Sequence, residues 1–220
     1  MANSKLVWTV AAAAVVLTCA PAAFAADLVP PAWRGSAGTT FQQWDFSTEA
    51  DPASPELVTN PYGTPSADIM LGDYAIGWLD QLPGMGSLTG YWDLGAAGTI
   101  SIGIPNEIVP GAYTEVWVQV TYFSDIMQAP AVQVQDGTYV DGETVVVENV
   151  DTGGSWLLDR SLWRVDPSAA AEAVSVVSDA MWGSVVDSVV VDTRNVVPEP
   201  ASAAALVIGL GGVVLRRRRA

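Results

Sequence analysis

Histidine is absent from this 220-residue chain, and cysteine occurs once, as Cys19. Cys19 lies in an apolar N-terminal stretch that is expected to be removed, which leaves the finished protein without a thiol. Disulfides, thiol nucleophiles, histidine-based triads and His/Cys metal sites are thereby excluded for the mature chain. Positive charge is scarce as well. Lys5 is the one lysine, and Arg216, Arg217, Arg218 and Arg219 crowd the C-terminus. Between Asp27 and Val197, Arg34, Arg160, Arg164 and Arg194 stand against 23 carboxylates, a net charge of −19. Such a surface repels nucleic acid and anionic headgroups, so no nucleic-acid partner is expected. Nucleophile-elbow, P-loop, dinucleotide and EF-hand spellings are also missing. Gly84-Met-Gly-Ser-Leu-Thr-Gly90 is glycine-rich but has no phosphate-binding lysine, and reads as a turn.

What is present at the two ends is more telling. A basic start at Lys5, an apolar run from Leu6 to Cys19 and a small-x-small site at Ala23 and Ala25 spell a secretory leader over residues 1–25. Cleavage after Ala25 leaves a mature chain that begins Ala26-Asp27. The apolar run is short of the ~20 residues of a spanning helix, which argues against a permanent N-terminal anchor.

At the other end, Val197-Pro198-Glu199-Pro200 precedes an apolar run from Ala201 to Leu215, then the four arginines and Ala220. That run predicts a single transmembrane helix of about 22 Å. Snorkelling arginines close part of the gap to a ~30 Å hydrocarbon core. The positive-inside rule places the arginines, like Lys5, on the cytoplasmic side, so everything between faces outward. Two prolines one residue apart hold the backbone extended just outside the membrane, where a membrane peptidase can grip it. A plain stop-transfer anchor is the simpler alternative.

This three-part ending over residues 197–220 resembles the PEP-CTERM sorting signal of Gram-negative bacteria. The match rests on Val197, Pro198, Glu199, Pro200, Ala201 and Ser202, the short span, and Arg216 to Arg219. The resemblance implies export through the secretion translocon, transient insertion in the inner membrane and processing near the Pro-Glu-Pro motif by an exosortase. Release or attachment at the cell surface then follows, often in bacteria that make exopolysaccharide.

Residues 26–196 form one extracytoplasmic domain that reads as a series of short strands. The candidates are Thr39–Phe46, Ala67–Leu71, Tyr74–Leu79, Leu88–Leu94, Thr99–Ile104, Thr114–Phe123, Ala131–Gln135, Thr144–Asn149, Trp156–Val165, Ala173–Ser178 and Ser188–Thr193. Turn signals separate them, among them Asn60-Pro-Tyr-Gly63, Pro110-Gly111, Asp136-Gly137, Asp141-Gly142 and Gly153-Gly154. With no βα alternation, the pattern predicts an all-β antiparallel sandwich, with a closed barrel as the alternative. The Ala-rich stretch Pro167–Val177 has room for a helical turn. The body is similar to a group of exported proteins, including planctomycete ones, that carry the same tail. The likeness lies in Pro30-Pro-Ala-Trp-Arg-Gly35, Thr40-Phe-Gln-Gln-Trp-Asp-Phe46, Ile104-Pro-Asn106 with Trp117-Val-Gln-Val-Thr-Tyr122, and Asp187–Thr193. It implies a jelly-roll-like domain and carries over no catalytic residues.

Three kinds of chemistry remain open to the body. Asp45, Asp93, Glu107, Glu115 and Asp159 are candidate carboxylates for glycoside hydrolysis, which needs two of them about 5 to 10 Å apart in a cleft. Solvated surface is the plainer reading, and no enzyme is expected. A structural calcium would draw on Asn106, Glu107 or Asp192, although no regular ligand spacing is present. Nine tryptophans are many for this length. Trp33, Trp92, Trp156 and Trp182 lie near loops or strand ends and are candidates for stacking on polysaccharide, whereas Trp44 and Trp117 read as core. A structural or adhesive surface protein is therefore the leading expectation. A carbohydrate-binding module is the second, and a glycosidase the weakest.

Overall fold

Ile100, Ile102 and Ile104 are buried while Ser101 and Gly103 between them are exposed, the period-two signature of a strand with one face on a core. The same alternation builds the whole body. The structure, a computed structural model, describes residues 27–198 except Leu82, Ile126, Met127 and Thr152. Its strands are β1 (Thr39–Trp44), β2 (Leu57–Thr59), β3 (Ser66–Met70), β4 (Gly77–Leu79), β5 (Tyr91–Asp93) and β6 (Thr99–Pro105). The second half adds β7 (Tyr113–Ser124), β8 (Ala131–Val134), β9 (Gly137–Asn149), β10 (Ser155–Val165), β11 (Ala171–Val177) and β12 (Val185–Val196). Among the described residues there is no helix. The signal helix expected over residues 1–25 and the transmembrane helix expected in the tail fall on residues outside the described ones.

All pairings are antiparallel. The larger sheet runs β2-β1-β12-β7-β10-β9, with β5 also on β12 and β4 on β5. The smaller sheet runs β3-β6-β11-β8. The two sheets share one core: Trp44, Val118 and Val191 from the larger meet Ile100, Ile102 and Val176 from the smaller. Each such side chain contributes about 1.5–3 kcal/mol by leaving water. Two of the larger polar side chains inside are paired: Trp44 Nε1 donates to Ala53 O at 3.2 Å, and Gln42 Nε2 to Val191 O at 2.9 Å. A second cluster, Tyr91, Phe123 and Trp156 with Leu88, sits on the opposite face of the larger sheet, under the loop before β5.

Strand direction gives the domain two ends. β12 finishes at Val196 and runs directly into exposed Val197, so this is the tail end. The loops 71–76, 94–98 and 178–184 gather at the other end, beside the start of β12. At about 3.3 Å per residue, the length of β12 separates the ends by nearly 40 Å.

Several sequence expectations are corrected. Asp141-Gly142 is no turn but lies inside β9, because the reversal is made at Asp136-Gly137. Gly142 serves packing instead: a Cβ there would meet the Tyr139 hydroxyl at 2.5 Å. The Ala-rich stretch holds no helical turn. From Ala171 it is a strand whose Glu172, Val174 and Val176 point inward. β2 had no readable pattern, since all three of its residues are exposed. Trp117 is not core: it lies half-buried on the outer face of the larger sheet, its Nε1 donating to Val29 O at 3.0 Å.

Candidate functional site

The loop end displays an apolar surface on a tightly fixed backbone. Gly72 N donates to Leu94 O at 2.9 Å, and Asp73 and Ala96 exchange both backbone hydrogen bonds at 3.0 and 2.8 Å. Ala97 N reaches Asp179 O at 3.0 Å, and Ser178 N reaches Gly98 O at 2.9 Å. These contacts demand glycine. A Cβ on Gly72 would stand 1.9 Å from Ala96 O, and one on Gly98 2.2 Å from Leu94 O. Asp179 Oδ1 accepts the Trp182 and Met181 amides, both at 2.8 Å, and they hold its carboxyl below the ordinary aspartate range. The contribution of that turn is present above the ordinary value and lost as pH falls through the lowered one.

From this frame project Tyr74, Ile76, Met181 and Trp182, at 96, 66, 74 and 56% exposure, with Met70 and Leu71 beside them. Tyr74 has φ +62°, a conformation non-glycine residues adopt only where the surroundings impose it. Singly exposed apolar residues are ordinary; six of them at one end of the domain make a candidate contact surface. Sequence reading picked out only Trp182 of these six. The signal for the rest is tertiary, because three loops far apart in sequence converge through Gly72, Gly95 and Gly98.

The outer face of the larger sheet is a second polar surface. All four cations of the body lie on it, and each is paired. Arg34 grips the buried Asp192 with two hydrogen bonds, at 2.6 and 2.7 Å, and also contacts Asp27. Burial raises the Asp192 carboxyl to about 6, although Arg34 opposes part of the rise. Arg160 pairs with Asp141 and Glu143, Arg164 with Asp166, and Arg194 with Glu115. Each guanidinium also lies over an aromatic ring: Phe41, Trp117, Tyr113 and Trp33 respectively, at 3.9 to 5.0 Å.

Farther along the same face, Asp187 sits in a β-bulge opposite Thr121. Burial, with help from the charge of Asp45, pushes its carboxyl up to about 7. The stabilising effect of such a raised group is complete below the ordinary value near 4 and is lost as pH rises through about 7.

The sequence-predicted residues are scattered. Trp156 is fully buried and Trp92 is 6% exposed, both locked in clusters, so neither offers a ring to a sugar. Trp33 is half-buried under Arg194 near the tail end, a domain length from Trp182. No paired tryptophan platform forms among the described residues. Of the candidate carboxylates, Asp93 caps Gly95 N, Glu107 accepts from Tyr62, Glu115 pairs with Arg194, and Asp159 accepts from Thr144. None of these meets Asp45, whose acidic neighbours are Glu56, Asp27 and Asp187. Asn106 is bonded to Glu172 and to the Glu107 amide, and Asp192 to Arg34, so the calcium candidates are held by protein partners. Val197 and Pro198 are described and exposed; Glu199, Pro200, Arg216 to Arg219, Ala23 and Ala25 lie outside the described residues. Compared with known proteins, the chain matches no protein-family profile, no curated protein and no solved structure.

Proposed function

We propose that the chain is an exported surface or matrix protein, sorted by an exosortase through residues 197–220, whose body holds an adhesive loop surface away from the membrane. The body is read as a jelly-roll-like sandwich, with its first and last long strands, β1 and β12, side by side. One observation carries the reading. β12 leads without a linker into Val197-Pro198, so the group around Tyr74 and Trp182 stands at the far end of that strand. A tail that anchors the domain, even briefly, therefore points this surface outward. The net charge of −19 over residues 27–197 favours solubility beyond the membrane. Partners implied are the translocon, the exosortase and the inner membrane during sorting, with an extracellular polymer or neighbouring surface afterwards. Nothing in the placement of Trp92 or Trp156 favours a stacking module, and the candidate carboxylates Asp93, Glu107, Glu115 and Asp159 each bond a separate partner.

The test is the double substitution Tyr74→Ala with Trp182→Ala in the processed protein. Both side chains are mostly in solvent, so stability is expected to change by no more than about 0.5 kcal/mol. Retention of the purified protein on cells and matrix of the producing bacterium is expected to fall at least about tenfold, a loss of ~1.4 kcal/mol. Unchanged retention would remove the loop surface from the account.

A further inference from the structure

The tail end of the domain carries exposed apolar groups of its own, apart from the loop surface. Ile108 and Val197 are each 61% exposed. The 106–112 loop is tied to the exit of β12, because Asn195 Nδ2 donates to Glu107 O at 2.9 Å. Ser168 Oγ fixes the same loop, accepting from Val109 N at 3.1 Å and donating to Val109 O at 3.0 Å. Ile108 therefore stands beside the point where the chain leaves the fold. Tyr113 is paired in register with Val196, the last residue of β12. Arg164 lies over the Tyr113 ring at 3.9 Å, and Arg194 over the Trp33 ring at 5.0 Å. Both rings are half-buried, and Asp166 and Glu115 pair with the two guanidinium groups. Apolar side chains beside Trp, Tyr and Arg are the composition of a membrane–water boundary. There the rings lie at headgroup level and long cationic side chains reach out of the apolar layer.

We propose that this end of the domain rests on the bilayer that holds the tail. Ile108 and Val197 dip among the lipid headgroups, with Trp33, Tyr113, Arg164 and Arg194 around them. This rests on the reading that residues 201–215 insert in that membrane. Chain length argues for the occupant. Val197 and Ala201 are four residues apart, at most about 14 Å when fully extended. The headgroup layer on one side of a bilayer is about 5–8 Å deep. The tail end is therefore confined to within about 10 Å of the lipid surface, with no linker to swing it away. A weak affinity is enough under such confinement. The contact holds the domain upright and sets a constant height at which the chain leaves it for the membrane peptidase. Once the tail is cut the confinement ends, and so weak a contact no longer retains the domain.

The test uses the chain with its tail, exported from cells without an exosortase and placed in phosphatidylcholine vesicles. Cys19→Ser removes the one thiol, and a small fluorescent reporter is attached to Pro110→Cys, Tyr74→Cys or Ser202→Cys in turn. Nitroxide groups on the lipid heads report proximity by quenching. The Pro110 and Ser202 reporters are expected to lose most of their emission. The Tyr74 reporter, nearly 40 Å away along β12, is expected to lose almost none. Adding Ile108→Asp with Val197→Asp is expected to restore most of the Pro110 emission and to leave the Ser202 reporter quenched. Both side chains are mostly in solvent, so the fold is retained. Pro110 quenching that these two substitutions leave unchanged means that the tether alone brings the domain close, and overturns the proposal. So does a bright Pro110 reporter beside a quenched Ser202 reporter. Pro110 quenching that appears only when exosortase is added to the vesicles assigns this face to the enzyme, and also overturns the lipid contact. A bright Ser202 reporter overturns the reading of the tail and this contact with it.

Discussion

Arg34→Ala is expected to destabilise the domain by about 3–5 kcal/mol, the range found when one partner of a buried ion pair is removed. Asp192 is fully buried in the central strand β12, and both oxygens of its carboxylate are held by one guanidinium. Without Arg34 that charge stays buried without the guanidinium that holds both its oxygens. The variant also loses the stack on Phe41 at 4.2 Å and the contact that fastens Asp27. Arg34→Lys is expected to recover only part, because an ammonium cannot grip both oxygens in one plane. The sign of the pH effect follows from Asp192. Burial alone raises its pKa, so the variant can relieve the penalty by taking up a proton as pH falls. Urea unfolding at pH 7 and pH 4 checks this: the gap between wild type and Arg34→Ala is expected to shrink at pH 4. An equal gap at both pH values would mean that packing, not charge, is what Arg34 supplies.

Gly72→Ala is expected to cost about 3 kcal/mol, at the upper end of what overpacking costs. The new methyl would overlap Ala96 O at 1.9 Å and Gly98 N at 2.5 Å, both backbone atoms. Relief requires the 71–76 and 94–98 loops to part, which breaks the paired hydrogen bonds between Asp73 and Ala96. The same movement releases Tyr74, so the loop surface loses its fixed shape along with the stability. Gly103→Ala, on an open face of β6 with nothing within 4 Å, is the matched control and is expected to change stability by less than about 0.5 kcal/mol. Thermal unfolding of the two variants side by side decides the point.

The contrast between these glycines shows where sequence reasoning reaches. Strands such as β6 and β7 alternate apolar and polar residues because one face meets the core, and that periodicity is written in the chain. β9 was half-legible: its Val145, Val146 and Val147 read as strand, but Gly142 looked like a turn because its close contact is with Tyr139 and Arg160. Trp117 and Trp44 have the same strand-like neighbours. Which one faces the core depends on what covers the outer face, and that cover comes from residues some 90 positions earlier. The loop surface was almost invisible for the same reason. Nothing local distinguishes Tyr74 from a strand residue; its exposure is set by Gly72, Ala96 and Asp179 meeting in space. Asp187 was hidden by a β-bulge, which breaks the pairing register of β12 between Val186 and Ser188. The readings of the two ends rest on linear charge and hydropathy patterns alone, and apart from Val197 and Pro198 they fall outside the described residues.

The measurement that tests the whole account is intact-mass analysis of the protein recovered from the cell surface or the medium. The account predicts a chain that begins at Ala26 and ends upstream of Arg216, short of the four arginines. A full-length chain recovered from the cytosol, with Met1 and Ala220 both in place, would contradict it.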